Sequence, residues 1–152
     1  MATEFTYNPI QEVSPNQPVI LNTVIGCNKG YVIHRNDSGI VTLRGIVNNP
    51  CAKFARYQVT FNGNIAVPTD GTAGEIQIGI ALNGESLPTS LAKVTPTAVN
   101  TYFNVTSTAI ITVPAGCCYD ISIDNFTEVV SPAVVAQSIN VQNANLVVTR
   151  IA

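Results

Sequence analysis

From residue 18 onward the chain alternates apolar and polar side chains with a period of two, and no other feature restricts its fold as strongly. "ARYQVTFNGNIAV" (55–67) sets Tyr57, Val59 and Phe61 on one side and Arg56, Gln58 and Thr60 on the other. Successive side chains of a strand point to opposite faces, so this rhythm predicts half-buried strands. The same reading holds for "PVILNTVI" (18–25), "YVIHR" (31–35), "GIVTLRGIV" (39–47), "GEIQIGIAL" (74–82), "TYFNVTSTAIITV" (101–113), "YDISIDN" (119–125) and "SINVQNANLVVTRI" (138–151). Turn signals separate them: Asn28-Lys29-Gly30, Asn36-Asp37-Ser38-Gly39, Asn48-Asn49-Pro50, Asp70-Gly71 and Asn83-Gly84. These residues tolerate positive φ or close turns through their side chains. Helix signals are nearly missing; "SLAKVTPTAVNTYF" (90–103) offers a start at Ser90, but Pro96 interrupts it. The expected fold class is all-β, an antiparallel β-sandwich or jelly roll.

Domain organisation follows from where the alternation begins. Residues 1–17 hold Pro9 and Pro15 and read as an extended N-terminal arm. Residues 18–152 read as one jelly-roll domain, a length that buries a sizeable core.

Asp, Glu, Lys and Arg make up only 11% of the chain, less than half the roughly 25% of ordinary soluble domains. With a net charge of −2, the surface repels its own copies weakly. Two readings suit it: a neutral polar surface, or a self-associating protein with wide interfaces, whose cores are poor in charge. No run approaches the roughly 20 apolar residues of a membrane helix, so no membrane partner is expected. The opening "MATEFTYNPIQEV" lacks the basic and apolar regions of a secretory signal, which predicts synthesis and assembly in a cytoplasm. Three Asn-X-Ser/Thr triplets, at Asn36, Asn104 and Asn125, read as chance in so Asn- and Thr-rich a chain.

Catalytic constellations are scarce. His34 is the single histidine, and it reads as a surface or turn-flanking residue. None of the common nucleotide, metalloprotease or hydrolase motifs occurs, and no catalytic residue, metal or cofactor is assigned. Asp120, Asp124 and Glu128 form a small acidic run without the ligand density of a calcium loop, so a solvated face is expected. Lys29, Arg35, Arg44, Lys53 and Arg56 fall within 29–56. They fit salt links to another subunit better than nucleic acid, which the pI near 5.2 disfavours.

The four cysteines are Cys27, Cys51, Cys117 and Cys118. Adjacent strand side chains diverge, so Cys117 and Cys118 can each meet a separate partner. Disulfides from this pair to Cys27 and Cys51 would pin two early segments to a late one, each worth roughly 3–4 kcal/mol in the chain-entropy model. Four reduced cysteines packed as small hydrophobes are the other reading.

"PVILNT", "SGIVTLRGI" and "GEIQIGIALNGESLP" with its Asn83-Gly84 turn, the Pro114-Ala115-Gly116 turn before "YDISIDN", and the terminal "NANLVVTRIA" follow a familiar order. Together they resemble the C1q/TNF-like trimeric jelly rolls, including the C-terminal domains of spore-surface and phage fibre proteins. "VTFNGNIAVPT", "PAGCCY" and "VQNANLVVTR" are also similar to stretches of small proteins from gut Firmicutes and their prophages. The sequence has no Gly-X-Y stalk and no counterpart of the family's calcium- or receptor-binding residues.

The resemblance implies a compact homotrimer. Tyr57, Val59, Phe61, Tyr102 and Phe103 are its candidate interface residues, with the sandwich core as their other placement. The expected role is a non-enzymatic structural protein of a bacteriophage or phage-like particle, as capsid decoration or a head or tail fibre component. On this reading residues 1–17 fasten the trimer to other virion proteins. The alternative is a module that binds a carbohydrate or a host receptor.

Overall fold

Every alternating segment contributes a strand. In the computed structural model, residues 2–26, 30–35, 37–46, 49–116, 118–127 and 137–151 are described. Cys27, Asn28, Lys29, Asn36, Asn48, Cys117 and Glu128, named above, lie outside them. The strands are β1 (Ala2–Tyr7), β2 (Gln11–Val13), β3 (Thr23–Ile25), β4 (Val32–His34), β5 (Val41–Arg44) and β6 (Phe54–Ala66), then β7 (Ile76–Leu82), β8 (Glu85–Ser86), β9 (Ala92–Val94), β10 (Phe103–Pro114), β11 (Cys118–Asn125) and β12 (Ile139–Arg150). In place of a helix at Ser90 there is one 3₁₀ turn, Pro88–Ser90, followed by β9.

Two antiparallel sheets result. The first runs β10-β6-β12-β1-β3, with β2 beside the start of β12; the second runs β4-β5-β11-β7-β8, with β9 also on β7. Consecutive long strands change sheets, β5 to β6 to β7 and again β10 to β11 to β12. That exchange makes the sandwich a jelly roll. Its core is aliphatic with a few aromatic rings: Tyr57, Val59 and Phe61 of β6 are fully buried and face Leu43, Ile80 and Ile121 in one cluster. Burying a side chain of Phe61's size contributes roughly 1.5–3 kcal/mol.

The segment expected as an arm belongs to the first sheet instead. β1 pairs with β12 from Ala2↔Thr149 to Tyr7↔Ala144 and with β3 on its other side, and β2 pairs with β12 at Val13↔Ile139. Phe5 is wholly buried and Thr3 nearly so, which explains the placement: Thr3 and Phe5 share the face that covers the core. The chain then crosses to the second sheet. Val19 donates to the Ile123 carbonyl at 2.7 Å, Asn125 donates to Gln17 at 3.2 Å, and Pro18 bridges to Asp124.

Turn chemistry agrees with the sequence. Asn83 and Gly84 both have positive φ, 52° and 86°, and join β7 to β8. This is the two-residue hairpin turn that Asn-Gly favours. A bulge in β12 between Gln142 and Asn145 sets two residues against Gly63 of β6. A Cβ on Gly63 would lie 2.9 Å from the Phe61 ring, so glycine is what permits the close approach.

Candidate functional site

The sandwich offers two surfaces of different character. The outer face of the first sheet comes from the polar half of each alternating strand. Its rows run across the strands in register, such as Thr108–Thr60–Val147–Glu4–Ile25 and Thr106–Asn62–Asn145–Thr6–Thr23. Many of these side chains bond to one another. Thr60 and Thr108 hydroxyls are 3.0 Å apart, Asn104 Nδ2 donates to Asn62 at 3.0 Å and Asn64 at 3.1 Å, and Thr106 donates to Asn62 at 3.1 Å. Asn145 donates to Glu4. Among the strand residues facing outward here, only Glu4, Glu12 and Arg56 carry charge, and Arg56 lies over the Phe54 ring. Exposed isoleucines stand on both outer strands: Ile110 on β10, 62% exposed, and Ile25 on β3.

The residues picked from sequence for such an interface divide. Tyr57, Val59 and Phe61 are core, as alternation on a shared face requires. Tyr57 donates its hydroxyl to the Arg44 carbonyl at 2.5 Å, and burial pushes that hydroxyl's pKa up, with Arg150 opposing. Tyr102 is half-buried and Phe103 is exposed at the start of edge strand β10.

On the second sheet, β11 sends Asp120, Ser122 and Asp124 to the outer face. The acidic run is not uniformly solvated: Asp120 is exposed, but Asp124 is 7% exposed. Residues 16–19 lie along one side of β11 while β7 lies along the other, and together they cover Asp124. Burial raises its carboxyl above the usual range, and the 2.7 Å hydrogen bond from Ser122 to Oδ1 offsets only part of that. Asp120 Oδ1 accepts from Thr42 at 2.6 Å, and the Asp120 amide donates to the Asn83 side chain at 2.9 Å. A cleft of 320 Å³ is lined by Pro18, Ile40, Asn83, Asp120, Ser122 and Asp124. A second, of 420 Å³, adjoins it across Ile40 and Asp120 and adds Ile33, Arg35, Ser38 and Thr42. Asp124 stood out in the sequence only as part of the acidic run, read as a solvated face, and Ser122 and Asn83 had no signal as a site beyond period two and the Asn-Gly turn.

His34 is half-buried; its Nε2 lies 2.7 Å from the Ser38 carbonyl and its ring packs 4.9 Å from Phe5. Cys51 and Cys118 are exposed free thiols, and Cys27 and Cys117, the other members of the expected pairings, lie outside the described residues. Among the described residues no group of three or more His, Cys, Asp or Glu is placed to hold a metal. The basic residues disperse: Arg35 and Arg44 belong to the second-sheet side, Arg56 to the outer face of the first. Asn125 is fully buried, its amide donating to Val13 and Gln137 carbonyls, which closes it to glycosylation in the folded protein. Among the described residues no helix is long and apolar enough to cross a membrane.

No protein-family model and no curated protein matches the chain. Among solved structures it is similar to the globular domain of zebrafish complement 1qA protein, at 14% identity and a TM-score of 0.60, over 99% of this chain and 96% of that one. It is also similar to the C-terminal domain of EclA, a sugar-binding protein, at 13% identity and a TM-score of 0.43, over 92% of this chain and 78% of that one. The second likeness is too loose to argue from. The first establishes the fold: a C1q/TNF-like jelly roll.

Proposed function

We propose that the protein is a non-enzymatic structural module that assembles as a homotrimer and serves a bacteriophage or phage-like particle as capsid decoration or a fibre component. The observation that carries the trimer is the outer face of the first sheet. It is broad, nearly uncharged, internally hydrogen-bonded and flanked by Ile110 on one outer strand and Ile25 on the other. A threefold assembly joins one patch of a protomer to a different patch of the next. Apolar groups at opposite edges of one face suit that rule, since the β10 edge of one copy meets the β3 edge of its neighbour. The particle is supported by the sequence resemblance to phage fibre and prophage proteins. Attachment through residues 1–17 forms no part of the proposal, because β1 and β2 are committed to the sheet. No cofactor enters this reading.

Ile110 is exposed in the protomer, so Ile110→Asp tests assembly without unfolding the chain. Sedimentation should show the variant as a folded 16.1 kDa species beside a larger parent. A variant that sediments with the parent removes this face from the interface. The particle reading is checked by mass spectrometry of purified phage particles: the chain should copurify stoichiometrically, and its absence refutes the role.

A further inference from the structure

We propose that the groove along β11 on the second sheet is a binding site for a neutral, hydroxyl-rich ligand, a short saccharide. It lies on the sheet opposite the proposed assembly face, so it stands or falls independently of the trimer. Three properties of the groove select this chemistry.

First, its polar groups match hydroxyls, each of which both donates and accepts. Asp124 uses Oδ1 for Ser122, and its other oxygen has no partner among the described residues although the residue is buried to 93%, the complement of its 7% exposure. Asp124 lines the cleft, and its second oxygen is not among the buried unpartnered side-chain atoms, so it is open to a donor arriving from solvent. Asp120 has spent one oxygen on Thr42, and Asn83 and Arg35 supply N–H donors at the groove walls. Second, Pro18, Ile40 and Ile33 give apolar surface between the polar groups, suited to the C–H faces of a sugar ring; Ile40 and Ile33 are 48% and 46% exposed. The two clefts, at 320 and 420 Å³, fall within the roughly 300–1,000 Å³ of small-ligand sites. Third, the charge excludes rivals. Two carboxylates against one guanidinium disfavour anionic ligands. Asp120 and Asp124 are four strand residues apart, about 13 Å at 3.3 Å per residue, too far to share a metal ion.

The test uses labelled full-length protein on an array of neutral, sialylated and sulfated oligosaccharides, with a lysine-rich peptide as a cationic control. Saturable binding to neutral saccharides is expected. Asp124→Asn should weaken it about tenfold, the loss expected for a charged hydrogen-bond acceptor, without lowering the thermal midpoint. Ile40→Asp, which alters an exposed wall, should weaken it too, and Thr60→Ala on the opposite sheet should not. Binding to no neutral saccharide, preference for anionic glycans or the cationic peptide, or binding that survives both groove substitutions would overturn the assignment.

Discussion

Asp124 is the residue whose placement matters most for pH. Its carboxyl is raised by burial, so only between the unfolded and folded values does the folded protein keep a proton that the unfolded chain has released. Stability from this group is complete below the ordinary carboxylate value of about 3.9 and is lost as pH rises through the folded value. Asp124→Asn removes that loss. Thermal melts should show the variant more stable than the parent at neutral pH, with the gap closing toward pH 3. A gap that widens on acidification would contradict the argument. Gly63 makes a different demand: its missing Cβ leaves room for the Phe61 ring. Gly63→Ala should cost about 1–3 kcal/mol in chemical denaturation, as overpacking does, and Phe61→Leu in the same chain should recover part of it. Additive losses in the double variant would show that the two sites do not touch. Period two placed Tyr57, Val59 and Phe61 on a common face; choosing between core and interface required knowing that the second sheet lies over it. Asp124 illustrates the reverse problem, since the segment that buries it is more than a hundred positions away in sequence.

At the scale of elements, the long strands β6, β7, β10, β11 and β12 were legible because alternation and turn residues agree. β1 was not. "ATEFTY" alternates, with Thr3 and Phe5 inward, but Pro9 and Pro15 close behind it read as an arm. Its strand partners, β12 and β3, make it a strand, and β12 is at the other end of the chain. Deleting residues 2–13 therefore removes β1 and β2 and uncovers the neighbouring strand edges. The truncated chain should lose cooperative melting, and Phe5→Ala alone should cost about 3–5 kcal/mol. A truncation that melts like the full chain would restore the arm. β8 and β9 leave no alternation in the sequence, because each is three residues or fewer and depends on β7 for its pairing.

The whole molecule divides its labour between two faces. One sheet turns outward a nearly uncharged, hydrogen-bonded surface with isoleucines at its edges; the other carries a groove with a buried carboxylate. The low charge that was visible in composition acquires a location only here, because three charged side chains are all that the outward strand positions of the first sheet contain. A self-association surface built this way depends little on salt, since few ions are involved. The central claim is the homotrimer, and absolute mass by light scattering after size exclusion, without reductant, tests it most directly. A homotrimer gives about 48 kDa, three times the 16.1 kDa chain. A mass of 16.1 kDa across the concentration range would contradict it.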